Sequence, residues 1–365
     1  MSHARLFEPL KLARGSALKN RLMLAPLTNQ QSHADGRLSE NEIRWLTMRA
    51  AGGFALVMTA AAPVQQIGQG YTGQLGIFDD QHIEGLAQFA SAVREKGSIS
   101  AVQLYHGGER ADPELVGTPV APTYSARNGA RALDLDEVEQ VREDFIEAAL
   151  RAEKAGCDGV QIHGAHGYIL AQFLSPTINQ RDDRYGGSLE NRARLMLEVI
   201  DGIRRRCRPD FQVGLRLSPE RFGMRLAEVR ELAGEIMQQG QIDYLDMSLW
   251  DVSKDPHEED FQGRSLLSYF TDLPRGEVRL GAAGKIMDAA TAAGLIEDGC
   301  DFVTIGRAGI LRHDFPERAR RDPAYTSPPQ PITVDHLREE GVTDEFLDYL
   351  RTFTGFVAEE GDKGA

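Results

Sequence analysis

The chain has 365 residues, 41 Lys plus Arg against 55 Asp plus Glu, a formal net charge of -14 and a pI near 5.2. With 41% hydrophobic and 26% charged residues it has the make-up of a folded globular protein. Its acidity argues against a nucleic-acid or anionic-membrane partner, either of which wants a basic face.

Cys157, Cys207 and Cys300 stand far apart with no CxxC pair. No thiolate zinc site or iron–sulfur cluster is expected from them, and scattered thiols fit a reducing compartment. Residues 1–10 lack the apolar stretch of a signal peptide, and no apolar run approaches the roughly 18 residues of a membrane helix. A cytoplasmic setting with no membrane association is the expectation.

Apolar, β-rich runs recur at 21–27, 54–60, 99–105, 159–163, 212–217, 242–247, 278–281 and 302–306. Helical patterns lie between them. Ser39 with Glu42 and Asp134 with Glu137 match the capping-box spacing. Residues 136–155 place Val138, Val141, Phe145, Ala148, Ala149 and Ala152 on one helical face, and 189–205 and 227–239 read similarly.

The run Ala55-Leu56-Val57-Met58 is apolar on both sides, as in a parallel sheet covered by helices on both faces. About eight such units predict an α/β fold, a (β/α)₈ TIM barrel. A doubly wound sheet would prefer Gly-x-Gly-x-x-Gly after its first strand, where this chain has Thr28-Asn29-Gln30-Gln31.

Beyond the barrel, residues 322–331 hold Pro323, Pro328, Pro329 and Pro331, a stiff connector, and 335–356 read as one helix with Leu337, Phe346, Leu347, Leu350 and Phe353 available to pack. The expected organisation is a barrel over 1–320. A proline-rich connector and C-terminal helix over 321–365 would pack on that barrel or on a neighbouring copy in a homo-oligomer. From Arg321 onward there are four basic and ten acidic residues, so this tail carries -6 of the net -14. The barrel is therefore only modestly acidic, and an anionic cofactor is not excluded.

In a barrel of this class the chemistry collects at the C-terminal ends of the strands. The runs end in Ala25-Pro26-Leu27-Thr28, Gln103-Leu104-Tyr105-His106, His163-Gly164-Ala165-His166-Gly167-Tyr168, Gly281-Ala282-Ala283-Gly284-Lys285 and Gly306-Arg307. Glycines closing the last two strands suit a phosphate, with Arg307 adding a charge-assisted contact; otherwise they only make tight turns. His163 and His166 are either structural histidines, a metal pair, or two donors aimed at one oxygen with Tyr168 beside them as proton donor. The first run offers no histidine and the last presents Arg307, which disfavours a metal. Arg216, inside an apolar strand, needs a buried partner or an anionic cofactor. The acidic stretch 250–260 reads as a solvated loop rather than a metal site around His257, with Trp250 shaping substrate choice.

The segment from His163-Gly164-Ala165-His166-Gly167-Tyr168 through Gln172-Phe173-Leu174-Ser175-Pro176 and Asn179 to Arg184-Tyr185-Gly186-Gly187-Ser188-Leu189-Glu190-Asn191-Arg192 resembles the signature stretch of the Old Yellow Enzyme family. That family comprises FMN-dependent NAD(P)H:flavin oxidoreductases, or ene-reductases. The likeness runs from about Leu6 to about Ala319.

The resemblance implies FMN across the top of the barrel. Gln103 would bind its pyrimidine edge, and Arg216 would sit near N1 and the C2 carbonyl. Ala25, Pro26, Leu27 and Ala60 would line the ring system. Thr28 would reach O4. Gly284, Lys285, Gly306 and Arg307 would take the phosphate. His163 and His166 would polarise the carbonyl of a small enone, Tyr168 would supply a proton to its α-carbon, and Tyr105 and Trp250 would bound the substrate pocket. NAD(P)H would be the reductant, and no metal is implied. Thr28 stands where one branch of the family has Cys, so no thiol tunes the flavin. The cysteine cluster of iron–sulfur relatives is missing, which counts against dienoyl-CoA reductase and amine dehydrogenase activities. Against this reading stand a metal-dependent or phosphate-binding barrel hydrolase or lyase, a flavin-dependent dehydrogenase or demethylase of the same family, and a flavin-binding redox sensor.

Overall fold

The computed structural model describes residues 2–358. Eight parallel strands close a barrel: β1 (Leu22–Leu24), β2 (Leu56–Pro63), β3 (Ile99–Tyr105), β4 (Gly159–Gly164), β5 (Gln212–Leu217), β6 (Tyr244–Ser248), β7 (Arg279–Ala283) and β8 (Phe302–Ile305). Each strand pairs with its sequence neighbours, and β1 closes the ring against β8. The helices of the βα units cover the outside, and the layer between them and the strands holds the larger apolar core. This is the (β/α)₈ TIM barrel anticipated from the alternating pattern.

The barrel interior is a separate core in which Met23, Leu56, Met58, Ala101, Tyr244 and Phe302 pack together. Tyr244 and Phe302 cross it edge to face, with ring centroids 5.7 Å apart. The facing strands make room: a Cβ on Gly214 would stand 2.1 Å from the Tyr244 ring, and one on Gly281 2.2 Å from that of Phe302. Leu10, Leu12 and Leu18 plug the N-terminal end of the barrel, held by the Leu10–Leu18 bridge. With one end plugged, only the C-terminal end is left open to form a site.

Two local expectations are corrected. Asp134 and Glu137 do form a full capping box. Ser39 caps the helix Glu40–Ala51 by accepting from Glu42 N–H, but the Glu42 carboxylate does not return to it. It is wholly buried and accepts from Asn29 Nδ2 at 2.9 Å and from the Ser32 hydroxyl, tying the loop after β1 to this helix.

The tail is not one helix. It forms Val334–Glu339 and Asp344–Arg351, broken where Gly341 adopts φ +81° and Thr343 caps the second helix. It packs on its own barrel. Arg49, wholly buried, donates to the carbonyls of Gly309 and Glu340, and Phe346 stands edge-on to Trp45 at 5.6 Å. Among the described residues no helix is long and apolar enough to cross a membrane.

Candidate active site

A cavity of about 390 Å³ opens at the C-terminal ends of the strands. The strand ends deliver Ala25, Pro26, Leu27 and Thr28 after β1, Gln103 and Tyr105 on β3, and Arg216 on β5. They also deliver Gly284 and Lys285 after β7, and Gly306 and Arg307 after β8. His163, His166 and Tyr168 enter from the end of β4, and Trp250 from beyond β6.

Ala60 is the exception. Its neighbour Ala61 lines the cavity, while Ala60 is buried elsewhere. The register of β2 against β3 shifts between Met58 and Ala61. Such an irregularity exchanges the inward and outward positions beyond it, so Ala61 rather than the Ala60 that the resemblance implies lines the cavity.

His166 and Gly167 both hold positive φ, at +60° and +70°, and turn the chain sharply so that Tyr168 faces back over the end of β4. Trp250 and Lys285, at φ +69° and +50°, bring to three the non-glycine cavity residues in this strained region. The His163 and His166 rings lie 4.9 Å apart, and the Tyr168 ring lies 5.1 Å from His163 and 4.5 Å from Tyr105.

Hydrogen bonding sets the state of His163. Its Nδ1 accepts from Ala165 N–H at 3.2 Å, so the proton is on Nε2. His166 Nε2 meets the Ser248 hydroxyl at 2.7 Å. That oxygen also accepts from Arg216 at 3.4 Å. Burial, then the neighbouring His166 and Arg216, hold the His163 imidazole well below its ordinary pKa. Burial, then Arg216 and Arg110, lower His166 to about 3. Both rings are therefore neutral hydrogen-bonding groups at any physiological pH.

Charged side chains complete the lining. Arg216 pairs with the buried Asp246 at 3.5 Å, and its Nε is buried without a partner. Lys285 pairs with Asp251 at 3.0 Å. Among the described residues no cluster of three or more His, Cys, Asp or Glu side chains is placed to hold a metal ion.

Two aromatic walls escape a reading of strand ends. Tyr71 lies eight residues beyond the end of β2, on a loop that Gln74 ties down by donating to Ala61 O and accepting from Gly70 N–H. Tyr349 comes from the tail helix. Both phenols approach Thr28, and Tyr71 Oη is buried without a partner. Tyr349 sits within a run of apolar residues at helical spacing, where a sequence pattern gives it the look of a core position.

Residues 5–324 match the model of the NADH:flavin oxidoreductase / NADH oxidase family. The chain belongs to this family. It is 37% identical over 314 residues to the probable NADH-dependent flavin oxidoreductase YqiG of Bacillus subtilis (strain 168), covering 83% of this chain and 84% of that one. It is 34% identical over 334 residues to the NADH:fumarate oxidoreductase of Klebsiella pneumoniae (strain 342), covering 87% of this chain but only 36% of that longer protein. Among solved structures, morphinone reductase in complex with tetrahydroNAD superposes with a TM-score of 0.78 at 31% identity, over 93% of this chain and 96% of the other. The resemblance to the Old Yellow Enzymes therefore holds for fold and family, and the chain is an FMN-dependent oxidoreductase.

The residues present fit that cofactor. The side chains of Arg216 and Gln103 line one end of the cavity, and Arg216 Nε is buried there without a partner. At the other end Gly284 approaches the backbone so closely that a Cβ would stand 2.8 Å from Asp251 N, leaving bare peptide beside Lys285 and Arg307. That is a donor set for an imide edge and a phosphate.

Proposed function

We propose that this protein takes hydride from NAD(P)H and reduces the C=C bond of α,β-unsaturated carbonyl compounds. The observation that carries this reading is the convergence of His163, His166 and Tyr168 on a cavity that Gln103 and Arg216, from the two flanking strands, also line. FMN, when bound, supplies the redox chemistry.

The chain's own residues bind, orient and protonate. Gln103 and Arg216 would hold the pyrimidine edge, and Gly284, Lys285, Gly306 and Arg307 the phosphate. Pro26, Leu27 and Ala61 would lie against the ring system, and Thr28 beside it. The Nε2–H of His163 would donate to the substrate carbonyl oxygen, with His166 as the second donor, drawing electron density away from the β-carbon. Neutral imidazoles suit this role because their N–H donates a hydrogen bond while keeping its proton. Tyr168 would hold the proton destined for the α-carbon. Tyr71, Tyr105, Trp250 and Tyr349 would keep water from the reacting atoms. The three free cysteines are buried and fit a cytoplasmic setting. On this reading residues 1–320 form the catalytic barrel, and 321–365 serve it by placing Tyr349.

Both substrates would use one cavity in turn, so steady-state rates should give parallel double-reciprocal lines when NADH or NADPH is varied against 2-cyclohexenone. Intersecting lines would contradict the shared site. The relative named for fumarate marks electron-poor alkenes with a carboxylate as a class to include in the panel. The family match and the cavity's donor set favour this over a barrel hydrolase or lyase.

A further inference from the structure

We infer that Asp246 and Gln161 are positioning residues that fix which way the Gln103 amide faces the flavin. This rests on the reading that the cavity holds FMN. Neither residue lines the cavity, and both are wholly buried. The barrel register brings them into line: Gln103 lies opposite Gln161 across β3 and β4, and Arg216 opposite Asp246 across β5 and β6.

The hydrogen bonds run in one sense. A carboxylate has no proton to give, so Asp246 can only accept. Gln161 turns its Nε2 toward Asp246 Oδ2 at 3.4 Å, which points its Oε1 the other way. Gln103 Nε2 donates to that oxygen at 2.7 Å. Gln103 Oε1 is thereby left toward the cavity, and among the described residues no donor meets it.

The cavity floor thus presents an acceptor from Gln103 beside donors from Arg216. An imide edge, with an N–H between two carbonyls, needs that pattern. If either buried amide were reversed, Gln103 would present N–H to N–H. The carboxylate that sets the sense also faces Arg216 at 3.5 Å, so it offsets positive charge where reduction of the flavin adds negative charge.

The test uses apoprotein refilled with FMN or with 3-methyl-FMN, which has no N3 proton, and follows flavin fluorescence quenching. Wild type should bind FMN at least tenfold more tightly than the 3-methyl compound. Asp246→Asn should lower FMN affinity about tenfold, cut that preference to below threefold, and shift the flavin midpoint potential upward.

Gln161→Met, which keeps the shape but breaks the relay, should lose the preference without the same rise in potential. Gln161→Glu should restore affinity, because a protonated carboxyl donates to Asp246 and accepts from Gln103 as the amide does. If Asp246→Asn does not fold, the two Gln161 variants carry the test. Wild type that binds no FMN would overturn the cofactor reading. Wild type that binds FMN, with variants that keep its affinity, preference and potential, would overturn the relay alone.

Discussion

The rings of His163 and Tyr168 stand 5.1 Å apart, centroid to centroid, with their planes at 80°. One presents a neutral N–H donor and the other a phenolic hydroxyl to the same cavity. On the proposed reading, a carbonyl oxygen held by the histidine would bring the adjoining alkene carbons toward the phenol. The proposed roles would then separate binding from protonation.

Tyr168→Phe should remove protonation and little else. The alkene-reducing half-reaction should slow by about 10²–10⁴-fold, the usual span for a positioned general acid. Reduction by NADH or NADPH should stay within about threefold. Stopped-flow measurement of each half-reaction decides the point, and an equal loss in both would show that Tyr168 is not the proton donor.

His163→Ala should weaken binding of phenols, whose oxygen mimics the substrate carbonyl, by tenfold or more (~1.4 kcal/mol for one lost hydrogen bond). Titration with p-hydroxybenzaldehyde measures this. Unchanged affinity would contradict the oxygen-binding role.

Three histidines should make the protein sensitive to acid. Burial holds His106 down at about 4 and, with neighbouring charges, His166 at about 3 and His163 well below its ordinary value. In the unfolded chain each would titrate near 6.5. Between that pH and the depressed values the unfolded state binds protons that the folded state refuses. Stability is therefore full above about pH 6.5 and falls as the pH drops below it, by about 1.4 kcal/mol per pH unit for each such histidine. Urea unfolding at pH 7 and pH 5 should show the loss. A stability that rises on acidification over this range would contradict the buried neutral state.

Asp243 should be a stability residue with no part in the chemistry. It is wholly buried near the start of β6, pairs with Arg14 at 3.2 Å and Arg204 at 2.5 Å, and accepts from Val213 N–H. Asp243→Ala leaves two cations and a backbone donor without their acceptor. It should cost about 3–5 kcal/mol. Thermal unfolding measures this, and a change below about 1 kcal/mol would show the cluster to be dispensable.

Most of the cavity was legible because a parallel barrel places chemistry at strand ends, and strand ends can be found from apolar runs. His163, Arg216 and Gly306 were found in this way. The resemblance implies Ala60, whereas the irregularity in β2 turns Ala61 to the cavity and leaves no mark on composition. Tyr71 and Tyr349 reach the cavity through tertiary packing, one on a loop and one on a tail helix whose apolar spacing resembles ordinary core. Asp246 and Gln161 lie beneath the site, and only the strand register shows that they share a chain of hydrogen bonds with Gln103. The tail breaks at Gly341, and the apolar spacing on both sides of that glycine reads as one continuous helix.

The most direct measurement is anaerobic mixing of the NADH-reduced holoprotein with 2-cyclohexenone, following flavin absorbance and product together. The account predicts prompt reoxidation of the flavin with stoichiometric cyclohexanone. Flavin that stays reduced across enones, nitroalkenes and unsaturated carboxylates would contradict it.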